Sequence, residues 1–317
     1  MKKILKDKDF LILKELIEDG RKSASSISKN LDLGREIVNY RIKRLIKENL
    51  IVKFVPKINE NNLKYSEYIL FLKLNLDDYI SKEKFIKERI GDKYLMWFIK
   101  NNSGWDVLVR IFVHTFEDFK KKLNEILLNF NDYLANYYTI VCSEDIKNQD
   151  KKVILEKLFS HSGDDVKSIK NVAPSRFNLD EKDLKIVELL QQDARIKYKD
   201  IGEKLSLSSD SVKYRIDKLI KNNILLGFYP IINFNKLGYK QYAIILKVNN
   251  LNFDLENKFT KYVLKNNFIT RAVKSLNTSE YFLTVIFEKD EEYDTLIKEI
   301  NEIFNNNIET IERFVLE

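Results

Sequence analysis

Sliding this chain against itself by 174 positions pairs residues 9–73 with 183–247 without a gap, and 26 of those 65 positions are identical. Such a repeat constrains the architecture before any element is assigned, because whatever the first segment folds into, the second folds into as well. The phrase IVNYRIKRLIKEN at 37–49 returns as SVKYRIDKLIKNN at 211–223. Asp19 and Arg21 meet Asp193 and Arg195, and Pro56, Ile58 and Asn59 meet Pro230, Ile232 and Asn233. Beyond these segments identity fades while the order of hydrophobic patterns persists.

Each copy opens with helical periodicity. In the second, Leu184, Ile186, Val187 and Leu190 follow the capping residue Asp180, a short helix follows around 200–205, and Ser208 opens a longer one. That last helix carries Val212, Ile216, Leu219 and Ile220 on one face, as Val38, Ile42, Leu45 and Ile46 do in the first copy. Three helices with a tight turn before the last form a helix-turn-helix. LIVKFVPKIN and ILLGFYPIIN then alternate like strands and are expected to be the wings. Downstream the period changes to two, and both copies read as β-α-β-β-α-β, the order of a ferredoxin-like sheet with two helices on one face. Its open face needs a cover, which the corresponding face of the other copy or of another chain supplies. The expected fold is therefore α+β, with winged helix-turn-helix domains at 1–62 and 179–236 and ferredoxin-like domains at 63–146 and 237–317. A polar linker at 147–178 includes Gly163, Pro174 and a short helix in VILEKLFS.

The composition narrows the classes of function. Cys142 is the one cysteine, and His114 and His161 are the only histidines, so no intrachain disulfide, metal centre or cofactor is expected. Trp97 and Cys142 lie on strands and read as packing residues. The sequence has no apolar run near 20 residues, and MKKILKDKDF interrupts its hydrophobes with charges, which points to a cytoplasmic protein without a membrane partner. Lys and Arg outnumber Asp and Glu by 55 to 48, a formal +7, which suits a polyanionic partner.

The segment LDEKDLKIVELLQQDARIKYKDIGEKLSLSSDSVKYRIDKLIKNNILLGFYPIINFNKLGY resembles the amino-terminal signature of the Lrp/AsnC family. The shared elements are a leading Leu-Asp, D-x-R before the second helix, L-x-L-S opening the third, V-x-x-R-I-x-x-L along it, and L-G-Y. The first copy departs, with Gly34 in place of the opening Ser and Lys64 in place of the Gly of L-G-Y. The resemblance implies a regulator that binds double-stranded promoter DNA and carries ligand-sensing sheet domains. A tandem version implies an archaeal source and contact with a basal transcription-initiation factor.

Base-reading residues come from exposed positions in the first two turns of a recognition helix. These are Arg35, Glu36, Asn39 and Lys43 in the first copy and Ser209, Asp210, Lys213 and Asp217 in the second, after the opening Ser208. Tyr40, Arg41, Arg44 and Lys47, with Tyr214, Arg215, Lys218 and Lys221, carry donors suited to phosphates; the same positions also suit a solvated face, and the tyrosines suit packing. The shared residues would hold the module and the differing ones would choose the bases, so an intrachain pseudo-dimer should prefer an asymmetric site, whereas a homodimer would present four such helices. In the resembled family a small effector, often an amino acid, binds near the loop joining the second and third sheet strands. Ser103, Gly104, Trp105 and Asp106 stand there in the first copy, whereas Thr278, Ser279, Glu280, Tyr281 and Phe282 lack both Gly and Asp. Gly104 and Asp106 are the effector candidates, with a plain hairpin turn as the alternative. A rival class is a sirohaem-decarboxylase-like enzyme built from the same units; a third is a recruiter acting through an initiation factor, contacted by acidic residues 144–165 or the sheets.

Overall fold

The computed structural model describes residues 5–59, 66–76, 79–90, 94–100, 104–147, 179–277 and 279–316. Residues 148–178 of the linker expected at 147–178, with its helix and His161, and Lys64, Ser103 and Thr278 lie outside the described residues. In the first copy the order is α1 Asp7–Glu18, α2 Ala24–Leu31, α3 Arg35–Lys47, β1 Ile51–Ile58, β2 Ser66–Leu74, α4 Tyr79–Ile90, β3 Leu95–Phe98, β4 Val107–Val113, α5 Phe116–Phe130 and β5 Leu134–Lys147. The second copy repeats it as α6 Glu181–Gln192, α7 Tyr198–Leu205, α8 Ser209–Lys221, β6 Leu225–Ile232, β7 Lys240–Val248, α9 Phe253–Lys265, β8 Ile269–Ser275, β9 Glu280–Phe287, α10 Asp290–Ile303 and β10 Ile308–Val315. Strand β5 runs through Lys147, one residue into the expected linker. There the Lys147 ammonium caps α9 by donating to the carbonyls of Val263 (3.3 Å) and Asn266 (2.8 Å).

The copies do not fold as independent beads. Met1–Lys64 joins Leu155–Leu237 in one compact unit, and Tyr65–Ile154 joins Gly238–Glu317 in a second.

In the first unit, each three-helix set buries its apolar stripe: Ile12, Leu13, Leu16, Ile27, Val38, Ile42 and Leu45 in one, Ile186, Val187, Leu190, Ile201, Val212, Ile216 and Leu219 in the other. The expected wing is a single strand in each copy, and its partner is the other copy. β1 pairs antiparallel with β6 from Ile51↔Ile232 to Ile58↔Leu225. A lone strand leaves its backbone donors and acceptors unpaired, and this ribbon satisfies them reciprocally. The paired strands are clamped from outside. Gly20 N–H donates to Phe228 O (2.8 Å) and Ala194 N–H to Phe54 O (3.1 Å). At Gly20 a Cβ would lie 2.9 Å from the Phe228 carbonyl carbon and the Tyr229 nitrogen, a distance that leaves no room for a side chain.

The second unit is an eight-stranded sheet in the order β10-β7-β9-β8-β5-β2-β4-β3. Each half has the first strand beside the fourth and third, the ferredoxin-like order expected from the α+β pattern. Period-two alternation sorts the side chains into layers. Tyr68, Leu70, Leu72 and Leu74 pack under the helices with Ile86, Phe119, Ile126 and Phe130. Ile69 and Phe71 face the other way and meet Ala243, Ile245, Val273, Phe282 and Phe314 of the second half. The open face of each half is thus covered by the other. Trp97 and Cys142 pack against this inner cluster, as their strand positions suggest. Hydrogen bonding also crosses the seam: the start of β5 pairs with β2, and Cys142–Lys147 continues along β8. A bridge at Ile99↔Leu316 links the far ends.

Phe71 is fully buried, with the rings of Phe282 and Phe314 at 6.3 and 5.5 Å. Phe71→Ala is expected to cost about 3–5 kcal/mol, measured as a lowered urea midpoint. Loss of under about 1 kcal/mol would mean that the two inner faces do not hold each other.

Candidate nucleic-acid interface

The third helices of the two sets, α3 and α8, are set by their first turns. Ser208 caps α8, its hydroxyl accepting from Ser211 N–H at 3.1 Å, whereas Gly34 at the same place in α3 offers no side-chain cap. Left-handed Asp32 (φ 50°) and Ser206 (φ 53°) make the tight turn ahead of each helix. With Val38, Ile42 and Leu45 buried, and Val212, Ile216 and Leu219 on the other helix, the 3.6-residue period sends the opposite line to solvent. Along that line stand Glu36, Tyr40, Lys43 and Lys47 in α3, and Asp210, Tyr214, Asp217 and Lys221 in α8; all are exposed. Arg35, Ser209 and Lys213 are exposed on the shoulder of this face and Asn39 is half-buried there. Tyr40 and Tyr214 are 66% and 67% exposed, so neither is a packing residue.

Three of the expected phosphate contacts have another task. Asp9 of α1 is fully buried, and it accepts from Arg41 at 2.7 Å and Arg44 at 2.6 Å. In the second copy Arg215 donates to Asp183 at 2.6 Å and Asp180 at 2.7 Å. Arg41, Arg44 and Arg215, expected to suit phosphates, therefore also brace α3 and α8 against the first helix of their set. The physical reason is the buried carboxylate, since an ion removed from water must be paired. A clue was present in the sequence: Asp9 and Asp183 occupy the same register of the repeat. Arg44 is matched by Lys218, so the first copy binds its buried acid with two guanidiniums and the second with one.

D-x-R is the second feature whose role lay hidden. Asp19 and Asp193 accept from the N–H groups of Arg21 and Arg195, at 2.9 and 2.8 Å, tightening the turn before the second helix. The arginines then cross to the opposite copy. Arg21 donates to the carbonyls of Ala194 (2.5 Å) and Ile196 (3.0 Å), and Arg195 to those of Gly20 (2.7 Å) and Lys22 (3.3 Å). Each guanidinium also lies over a ring of the other copy, Tyr198 for Arg21 (4.7 Å) and Phe54 for Arg195 (4.9 Å). Burial and the neighbouring Arg21 charge lower the Arg195 pKa from its ordinary value.

The effector candidates are committed locally. Gly104 takes φ +88°, a turn conformation that favours glycine. The buried Asp106 carboxylate accepts from Leu74 N–H at 2.6 Å and pairs with Lys82 at 2.9 Å. Glu280, its counterpart in the second copy, is buried and bonded to the Tyr138 hydroxyl. Burial and that carboxylate push the Tyr138 phenol up. Among the described residues no group of three or more His, Cys, Asp or Glu could hold a metal ion, and no helix is long and apolar enough to cross a membrane.

Comparison with known proteins fits this geometry. Residues 179–220 match the AsnC-type helix-turn-helix domain, and residues 5–52 match the winged helix-turn-helix DNA-binding family. An HTH-type transcriptional regulator of Pyrococcus horikoshii is 30% identical over 134 residues, which cover 40% of this chain and 87% of that protein. The HTH-type transcriptional regulator LrpB of Bacillus subtilis is 26% identical over 122 residues, 38% of this chain and 80% of LrpB. Among solved structures the siroheme decarboxylase NirDL is similar over 97% of this chain and 90% of its own, with a TM-score of 0.52 and 12% identity, a likeness of fold alone.

Burial alone would raise the Asp9 pKa, but the Lys6 backbone N–H and the Arg41 and Arg44 charges outweigh it and hold the carboxyl below the usual carboxylate range. A depressed folded-state pKa stabilises the fold above the unfolded value, and that contribution fades as pH falls through the folded one. Asp9→Asn is expected to cost about 3 kcal/mol at pH 7, because it leaves two arginines facing a neutral group. The deficit relative to the parent should begin to shrink below about pH 4, where the unfolded chain takes up the proton, and close as pH falls through the lower folded-state value. A deficit that stays constant across urea titrations at pH 3 and pH 7 would show that the charge is not the cause.

Proposed function

This chain belongs to the Lrp/AsnC family of helix-turn-helix transcriptional regulators, and on that premise we propose that it is a non-enzymatic regulator that reads promoter DNA with two unlike recognition helices held in one unit. The observation that carries this reading is the β1–β6 ribbon with its reciprocal Arg21 and Arg195 clamps. Through it α3 and α8 are presented as a pair by one chain, as the two subunits of a dimeric helix-turn-helix protein present theirs. The lines facing solvent differ at Lys43 against Asp217, and their shoulders at Arg35 against Ser209 and Asn39 against Lys213. Palindromy in an operator mirrors two-fold symmetry in the protein, so this pseudo-symmetric pair favours an asymmetric site.

Within this reading the exposed Tyr40, Lys43, Lys47, Tyr214 and Lys221 face the duplex, while the paired arginines keep the helices upright. Contact with a basal transcription-initiation factor is part of the proposal, and a pull-down of such a factor with and without promoter DNA tests it separately.

Genome-wide mapping followed by footprinting should yield sites whose two halves differ in sequence, protected by a single chain. A perfect palindrome protected equally on both halves would count against the reading. Affinity should fall steeply with salt, the slope counting the phosphates neutralised.

One specific observation favours a second reading: the likeness to NirDL extends over nearly the whole chain. Addition of sirohaem should leave the absorbance spectrum of the protein–sirohaem mixture equal to the sum of its parts. A shifted Soret band with release of carbon dioxide would replace the regulator by an enzyme.

A further inference from the structure

Lys43 and Asp217 occupy the same register of the repeat, at the centre of the two solvent-facing lines, seven residues after Glu36 and Asp210. Both are exposed, and among the described residues neither has an ion-pair partner. Their neighbours one turn away differ too: Lys43 sits between Asn39 and Lys47, whereas Asp217 sits between Lys213 and Lys221. The second helix thus presents a carboxylate between two ammonium groups at the place where the first presents an ammonium.

No other reversal of charge falls on these lines. Glu36 is matched by Asp210, Tyr40 by Tyr214 and Lys47 by Lys221. The carboxylate is also unused by the fold, since the braces of α8 are Arg215, Asp180 and Asp183. An acid facing a duplex meets phosphate repulsion on both sides of the groove, and the major-groove donors that repay it are exocyclic amino groups. Cytosine N4 is the partner that suits Asp, and guanine O6 and N7 are the acceptors that suit Lys.

We propose that Lys43 and Asp217 are the residues that set the two half-sites apart, Lys43 selecting a guanine and Asp217 a cytosine at the equivalent step of their half-sites. The inference rests on the DNA-reading function above and adds to it the position and the base. The operator is then an imperfect inverted repeat whose halves break symmetry at that step with opposite preferences. Lys47 and Lys221, one turn further along, act alike in both halves and carry no such information.

The test is selection of bound sequences from a randomised duplex library by the full chain, for the parent, Lys43→Asp, Asp217→Lys and the double exchange. Asp217→Lys should change the preferred base of the second half-site from cytosine to guanine by about tenfold and make the two halves alike at that step. Lys43→Asp should make the converse change, and the double exchange, which keeps the net charge, should transpose guanine and cytosine between the halves. A helical far-ultraviolet spectrum matching the parent establishes that each variant is folded. An unchanged motif in Asp217→Lys, with affinity raised equally for every sequence, would overturn the inference and leave Asp217 as a mere electrostatic weight, with the DNA-reading function intact. Failure of the parent chain to enrich any motif would overturn that function and this inference together.

Discussion

The rest of the first unit depends on one contact: two strands from distant parts of the chain, β1 and β6, satisfying each other's backbone. Among the described residues neither has a strand partner inside its own copy, so each helix-turn-helix completes the other. Arg21 and Arg195 make the arrangement reciprocal by donating to backbone carbonyls across the pseudo-two-fold, each guanidinium fork reaching two acceptors at once. Asp19 and Asp193 do not pair across the seam; they fold the turn that aims each arginine. A motif that reads locally as a helix boundary is therefore the joint between copies.

The buried carboxylates Asp9 and Asp183 solve a different problem. α3 and α8 are rich in basic residues, and they are held by more than their apolar stripes. Ion pairs to the first helix of each set tie down α3 and α8 through Arg41, Arg44 and Arg215. On the lines facing solvent the two copies agree at Tyr40 and Tyr214 and disagree at Lys43 and Asp217.

In the second unit the corresponding role falls to a buried network. Glu67, fully buried on β2, accepts from Arg110 of β4 and from Arg271 of β8, and Arg271 also reaches Asp145 of β5 at 3.1 Å. Burial would push the Glu67 carboxyl up, but the two guanidiniums hold it below the usual range. The network ties strands of both halves at the place where β5 passes from one to the other, and its charges meet only when that seam is formed. Asp106 and Glu280, at equivalent positions, are likewise drawn into local bonds. The first serves a backbone N–H and Lys82, the second Tyr138 of the opposite half.

The sequence by itself determined the repeat, the helical and period-two patterns, the caps at Asp180 and Ser208, and hence the α+β class with ferredoxin-like order, because these are set by neighbours a few residues apart. Exposure of the α3 and α8 residues was legible for the same reason: Val38, Ile42 and Leu45 mark the buried stripe, and the period gives the rest. Tertiary structure decided which partner each strand and each charge would find. Residues 51–58 look alike whether they form a hairpin or pair with residues 225–232, and Arg41 looks alike whether it meets phosphate or Asp9. Those choices rest on backbone groups and carboxylates brought together from more than thirty to more than 170 positions apart, separations at which local pattern holds no information and only the requirement to satisfy every buried polar group selects the answer.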